Sequence, residues 1–400
     1  MSAIKYILPV LAAGRLALAV SCNDTVTISS QSDADDYASC TTIRADVTLS
    51  ESISGDISLS GIEQITGSLS CTGASNLTSL TAASLNTIGD KFTLNGLTTL
   101  SALTMADLTS VGSIDWEALP NLQTLSFTAG VSTADSVIIT NTGLTTLDGI
   151  SLETVGEFSI TDNTALTTVN VNELKNATSL INFAGNDNSL EVDFPNLGTG
   201  TNMTFRNVSS VLVPSLTTLS GELGFWGNTF KKFSAPNLTT TGDLVFDDNP
   251  DLTNISMPVL TTVNGGFEII VNDKLSVISF PDLETVTGAV DFSGEFDTVS
   301  LPSLKEVKGG FNVQSTGNFT CSAFKSLRAA GAIKGTYTCK ANAADPTTSD
   351  GSSGTGSSSN TTSTSSASAT SSGAAVANLV ANVPAMGAAA VFGALMQFAL

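Results

Sequence analysis

Apolar and polar residues alternate in short bursts along most of this chain, and the bursts return on a fixed beat. Apolar-x-apolar pairs stand at Ile57/Leu59, Leu69/Cys71, Phe92/Leu94, Ile114/Trp116, Phe158/Ile160, Met203/Phe205, Leu223/Phe225, Leu244/Phe246, Phe267/Ile269, Val290/Phe292 and Phe311/Val313, mostly separated by Ser, Thr, Asp, Asn or Glu. A period of two sends successive side chains to opposite faces of a strand, whereas a helix needs a period of 3.6. Each pair is therefore expected to stack on its equivalent in the next unit, with the intervening residues facing solvent. Further short strands complete each unit, in phrases such as Leu252-Thr253-Asn254-Ile255 and Leu260-Thr261-Thr262-Val263. No segment offers a sustained amphipathic helix.

Two phrases keep time with the pairs. An apolar-Pro-x-Leu phrase starts at Phe194, Val213, Ala235, Met257, Phe280 and Leu301, with an outlying copy at Leu119, and successive prolines from Pro195 to Pro302 are 19, 22, 22, 23 and 21 residues apart. A glycine precedes the alternating stretch at Gly67, Gly89, Gly112, Gly221, Gly242, Gly265, Gly288 and Gly309. Self-similarity at this spacing marks stacked supersecondary units, each too small to bury its apolar face alone. The expected fold is all-β: a right-handed parallel β-solenoid of about 22-residue coils. At about 4.8 Å per coil, a dozen coils would make a rod roughly 60 Å long. Pro is expected where a strand begins, Gly where the chain turns, and Asn249 and Asn272 at bends where a short amide satisfies backbone groups.

The ends read differently. Residues 1–19 form a secretory signal, with Lys5, an apolar stretch interrupted by Arg15, and Ala17-Leu18-Ala19 as the cleavage pattern. Residues 20–340 carry the solenoid, and residues 341–372 a Ser/Thr-rich stalk too poor in apolar side chains to pack a core. After Asp350 no charge occurs; Ser372-Gly373-Ala374 are small, and an apolar tail runs from Val383 to Leu400. Small triad, spacer and apolar tail are the parts of a glycosylphosphatidylinositol (GPI) attachment signal, with Ser372 or Gly373 as attachment residue and residues 373–400 removed. A spanning helix would normally carry Lys or Arg beyond the apolar run.

Composition narrows the function. With 36 acidic and 15 basic residues the net charge is −21, which repels nucleic acid and anionic headgroups, so membrane association is expected only through the lipid anchor. The chain has no histidine, which excludes Ser-His-Asp and Cys-His catalysis and removes the commonest metal ligand; no cofactor or metal is expected. Five cysteines remain. Cys22 and Cys40, like Cys321 and Cys339, are 18 residues apart, and each pair falls at an end of the repeats, where a solenoid needs caps. Two local disulfides are expected, leaving Cys71, whose slot holds Leu94, Trp116 or Phe246 in other coils; an inert core thiol is favoured over a reactive one.

Asp247-Asp248 is the most enzyme-like feature, because paired carboxylates can serve as acid and base on a glycan. Yet other coils carry Asp162-Asn163, Gly227-Asn228 or Asn272-Asp273 nearby, and no Arg or His companion is evident, so a turn role is favoured. N-glycosylation sequons stand at Asn23, Asn76, Asn176, Asn202, Asn207, Asn237, Asn254, Asn318 and Asn360. Trp116 and Trp226 read as core or edge positions, and an aromatic platform for sugar rings is not visible.

Together the Cys-bounded repeats, the apolar-Pro-x-Leu phrases, Cys321-Ser322-Ala323-Phe324 leading to Lys334-Gly335-Thr336-Tyr337-Thr338-Cys339, and the stalk with its tail resemble fungal GPI-anchored cell-wall organisation proteins. The resemblance implies a leucine-rich, receptor L-domain-like β-helix at the outer face of the plasma membrane and in the wall. It implies a role in wall integrity and carries no catalytic residue. The expected partners are wall glycans or wall proteins, bound along the polar sheet face by a protein without catalytic activity. The alternatives are a wall-polysaccharide hydrolase or transferase using Asp247 and Asp248, or an adhesin.

Overall fold

Val26 pairs in parallel with Val47, Val47 with Leu69, Leu69 with Phe92, Phe92 with Ile114 and Ile114 with Val137. The same column continues through Phe158, Ile181, Met203, Leu223, Leu244, Phe267, Val290 and Phe311 to Tyr337. Fifteen strands thus stack in one wide parallel sheet in this computed structural model, which describes residues 20–349. At about 4.8 Å per step the first and last rungs lie roughly 65 Å apart. The all-β solenoid is as the alternation predicts, with one phase correction. Ile57 pairs with Leu80 on another face of the rod, and Val47/Leu49 take the place in the wide sheet that Ile57/Leu59 were expected to fill.

A second inward column, two residues on, runs through Leu49, Cys71, Leu94, Trp116, Ile139, Ile160, Phe183, Phe205, Phe225, Phe246, Ile269 and Phe292. All of these are at most 2% exposed. The rings of Phe183, Phe205, Phe225 and Phe246 stack face to face with centroids 5.8, 5.4 and 4.9 Å apart. In-register stacking of like side chains is what identical period and parallel pairing produce together.

The corners show which physical need each repeated residue meets. In the apolar-Pro-x-Leu phrase the Leu N–H donates to the carbonyl of the apolar residue three back, at 3.3 Å for Leu197 to Phe194 and 3.2 Å for Leu216 to Val213. Pro is thus the second residue of a β-turn that follows a strand, where its fixed φ is pre-set, and does not begin a strand as expected. Leu119-Pro120-Asn121-Leu122 makes the same turn at a different corner, directly after the long strand Ser110–Leu119. The beat glycines are also not chosen for a left-handed turn. A Cβ on Gly242 would lie 2.5 Å from the Gly221 carbonyl oxygen, and one on Gly288 2.6 Å from the Gly265 carbonyl. Backbones of successive coils touch there, and only hydrogen fits between them.

Asparagines at another corner form a buried ladder. Asn249 Oδ1 accepts from the Asn228 backbone N at 3.1 Å and Nδ2 at 2.9 Å, and Asn249 repeats the pattern onto Asn272 at 3.1 and 3.0 Å. Asn163 and Asn186 do the same lower in the rod. These amides satisfy backbone groups that the bend removes from strand pairing.

Short helices that the alternation did not announce lie at the two ends. Helix α1, Gln31–Asp36, falls between Cys22 and Cys40, and helix α2, Ser322–Ala329, between Cys321 and Cys339. Disulfides join each pair, with Cα atoms 5.8 and 6.0 Å apart. The Gln31 amide pairs with both the N–H and the carbonyl of Ser58, at 2.7 and 3.0 Å, taking the place of a neighbouring backbone. At the other end Phe324 of α2 covers Phe311, with centroids 5.0 Å apart. Each cap covers apolar surface that an end coil would otherwise expose.

Candidate binding face

The outward columns of the wide sheet are mostly polar from Thr48 to Thr204. In the first half they form a ladder of hydroxyls and amides: Thr48 with Ser70 at 3.2 Å, Thr140 with Thr161 at 2.9 Å, Asn182 donating to Ser159 at 3.1 Å and Thr204 to Asn182 at 2.8 Å. Their chemistry then changes. Arg206 pairs in register with Trp226, and Trp226 with Asp247, so guanidinium, indole and carboxylate follow one another at single-coil spacing.

The Arg206 Cζ lies 4.0 Å from the centre of the indole ring, a cation–π contact. Gly224 makes room for the ring: a Cβ there would come within 2.0 Å of Trp226 Cη2 and 2.6 Å of Glu222 Oε1. Trp226 remains partly exposed, whereas Trp116 is fully buried in the core. Burial pushes the Asp247 carboxyl up to about 6, with repulsion from Asp248 adding and Arg206 opposing. Glu222 is raised by burial and by Asp243, against the pull of Arg206, and burial lowers Arg206 itself. Arginine is thus the charge partner of Asp247 that sequence reasoning missed. The signal was available, since Arg206, Trp226 and Asp247 each stand three residues after the first inward residue of their strand.

Asp248 has another task. It sits at φ +53° in the left-handed corner slot that Gly227 occupies at φ +62° in the preceding coil and Asp162 at φ +57° elsewhere. Asp248-Asn249 is the equivalent of Asp162-Asn163, and Asp247 belongs to the strand before it. Two carboxylates adjacent in sequence are therefore divided between a corner and the outer face.

Beyond Asp247 the face is crossed by the chain itself. Asn312 Nδ2 and Gln314 Nε2 donate to the Thr347 carbonyl at 2.8 and 2.9 Å, and Asp291 accepts from the Ser349 N–H at 2.7 Å and from its hydroxyl. Asp291 and Asn312 face each other in neighbouring rungs, so Thr347–Ser349 runs across the strands, along the rod axis. Contacts with the solenoid thus extend past residue 340 to Ser349.

Cys71 is fully buried, and burial pushes its thiol up to about 12. Among the sequons, Asn23, Asn76, Asn237, Asn254 and Asn318 are exposed, while Asn176, Asn202 and Asn207 are partly buried. The Asn202 amide bonds the Glu222 N–H and the Ser179 carbonyl. Asn360, Ser372 and Gly373, with the signal segment 1–19, lie outside the described residues. Among the described residues no His/Cys/Asp/Glu group could hold a metal, and no helix is long and apolar enough to cross a membrane.

Fold and face together define a parallel β-solenoid, capped at both ends, with a long polar outer sheet. The chain matches the family model for GPI-anchored cell wall organization proteins over residues 1–38. It is 61% identical to Protein ecm33 of Aspergillus fumigatus over 100% of both chains. It is 33% identical to Cell wall protein ecm33 of Schizosaccharomyces pombe, covering 78% of this chain and 75% of the relative. It is 31% identical to Cell surface GPI-anchored protein ECM33 of Candida albicans, covering 87% and 86%. No solved structure matches. The chain belongs to the Ecm33 family of GPI-anchored cell wall proteins and resides at the cell surface and wall.

Proposed function

We propose that this protein is a non-catalytic rod, tethered by its lipid anchor, that supports wall organisation and integrity by binding wall glycan chains along the outer face of its wide sheet. The observation that carries this reading is the outer face itself, where polar side chains recur in nearly every coil from Thr48 to Thr204. Such a surface suits a linear polymer of repeated sugar units better than a compact ligand. The net charge of −21 favours neutral polysaccharide over an anionic one. In this reading residues 341–372 hold the rod off the membrane from Ser372 or Gly373, the two disulfides secure the caps, and the exposed sequons carry glycans away from the face.

One observation favours a second reading. A carboxyl raised to about 6, as at Asp247 with an arginine two coils away, resembles a general acid, and a wall-polysaccharide hydrolase or transferase would need one. Incubating the purified protein with β-glucan, chitin and mannan separates the two. Binding without turnover is expected. Turnover abolished by Asp247→Asn would replace the structural reading with the enzymatic one. In cells, deletion of the gene should sensitise the wall to stress.

A further inference from the structure

We infer that Arg206, Trp226 and Asp247, with Gly224 beneath them, form a saccharide subsite where one pyranose of a neutral wall glycan is held. The inference rests on the reading above and deepens it by naming where a chain is gripped. Two features meet at this place, and a third lies further along the same face.

The first is the indole and its seat. An ordinary outward residue at position 224 would collide with the ring, since even a methyl there would lie 2.0 Å from Cη2. A large aromatic side chain kept partly in solvent, on a glycine that lets it lie against the sheet, serves nothing in the core, which its inward neighbours Leu223 and Phe225 already fill. Arg206 covers one face of the ring, and the C–H face of a pyranose is a natural partner for the other, with apolar area and a polar edge in one group.

The second is the pair of polar groups on either side. Arg206 supplies donors only and Asp247, when ionised, acceptors only, and they stand one coil below and one coil above the indole. Asp247 makes a hydrogen bond to no side chain in its own column, whose neighbours are Trp226 and Ile270. A sugar ring presents hydroxyls able both to donate and to accept around an apolar face. Donor, aromatic surface and acceptor, in line along the rod, complement that pattern.

The third is the strap. Thr347–Ser349 shows that an extended polar chain fits this face crosswise to the strands, held by outward amides and a carboxylate of successive coils. The strap occupies the rungs of Asp291 and Asn312, whereas the rungs of Arg206, Trp226 and Asp247 lie further down the same outward columns. A glycan lying along the axis would continue the path that the strap begins.

The test uses full-length protein released from cells by cleavage of its lipid anchor, titrated with gluco-, chito- and manno-oligosaccharides. Only two tryptophans report, and Trp116 is fully buried, so a saturable change in emission is expected from Trp226 with one sugar series. Removing a central aromatic anchor should weaken binding about tenfold or more in Trp226→Ala, read by calorimetry. Gly224→Ala should weaken it too, by displacing the ring while leaving every sugar-contacting group present. Unchanged circular dichroism would show that both variants keep the fold. Equal affinity of wild type and both variants would overturn the subsite yet leave glycan binding by the rod intact. Absence of binding by wild type to any wall polysaccharide would instead remove the reading beneath it. The Asn207→Gln arm covers the nearby sequon. Binding that appears only in that variant would show the protein's own N-glycan filling the place, and would overturn the assignment to a wall chain.

Discussion

Replacing Asn249 by Ala tests the buried amide ladder, the feature on which the corners of the rod depend. Asn249 is fully buried. Its Oδ1 is the acceptor for the Asn228 N–H at 3.1 Å, and its Nδ2 donates to the carbonyls of Phe225 at 3.2 Å and Asp247 at 3.1 Å. Alanine would leave the Asn228 N–H without an acceptor and take one donor from each carbonyl, while the Asn249 N–H keeps Asn272. A buried orphaned group costs about 1–3 kcal/mol, and a carbonyl deprived of one donor less, which gives about 2–5 kcal/mol in all. That is a large share of the roughly 5–15 kcal/mol that folded proteins have to lose. Urea unfolding followed by circular dichroism should show the midpoint falling by about 0.7 M or more for a slope of about 3 kcal/mol/M. Because solenoid coils couple to their neighbours, hydrogen exchange should report the first loss of protection in the strands from Leu223 to Ile270. The control is Asn196→Ala, whose exposed amide donates to the Asn172 carbonyl at 2.8 Å and should change stability by no more than about 0.5 kcal/mol. Equal shifts for the two variants, or a loss below about 1 kcal/mol for Asn249→Ala, would refute the ladder as a stabilising element.

Other outcomes follow from the same packing. Gly288→Ala, which must open a 2.6 Å backbone contact, should cost clearly more in urea unfolding than Gly227→Ala, which meets open space but at φ +62° costs about 1 kcal/mol; the reverse order would show that the beat glycines serve the turn after all. Cys71, raised to about 12, should resist a thiol reagent at pH 8 in the folded protein and react on unfolding, and rapid labelling of native protein would contradict its place in the core. Asp247 is raised to about 6 from an unfolded value of about 3.9, so the folded state takes up its proton first and this site gains stability as pH falls from 7 to 4. Asp247→Asn should therefore stabilise at pH 7 by up to about 2–3 kcal/mol and have little effect near pH 4, measured by urea midpoints across that range; parallel profiles for variant and wild type would show that the carboxyl is not so raised.

The sequence by itself determined the solenoid and the register of its main column, except at the first coils, where Ile57 lies on another face and Val47 holds the column. A two-residue alternation repeated at about 22 residues leaves a chain no other way to bury Phe205, Phe225 and Phe246 than on top of one another. It also marked both caps, because the only close cysteine pairs stand where the repeats stop. What it did not settle was which neighbours meet across coils. Proline and glycine carry the same sequence signal whether they start a strand, make a turn or permit a close contact, and only the stacked backbones show that Gly242 and Gly288 lie against the coil before. The short helices escaped notice because α1 and α2 are only six and eight residues long, too short for a helical period to stand out from the alternation around them. Asp247 is the clearest case. Along the chain it stands beside Asp248 and looks like half of a carboxylate pair. In the rod Asp248 turns the corner, and the neighbours of Asp247 are Trp226 and, one coil further, Arg206, residues 21 and 41 positions away brought together by parallel pairing alone.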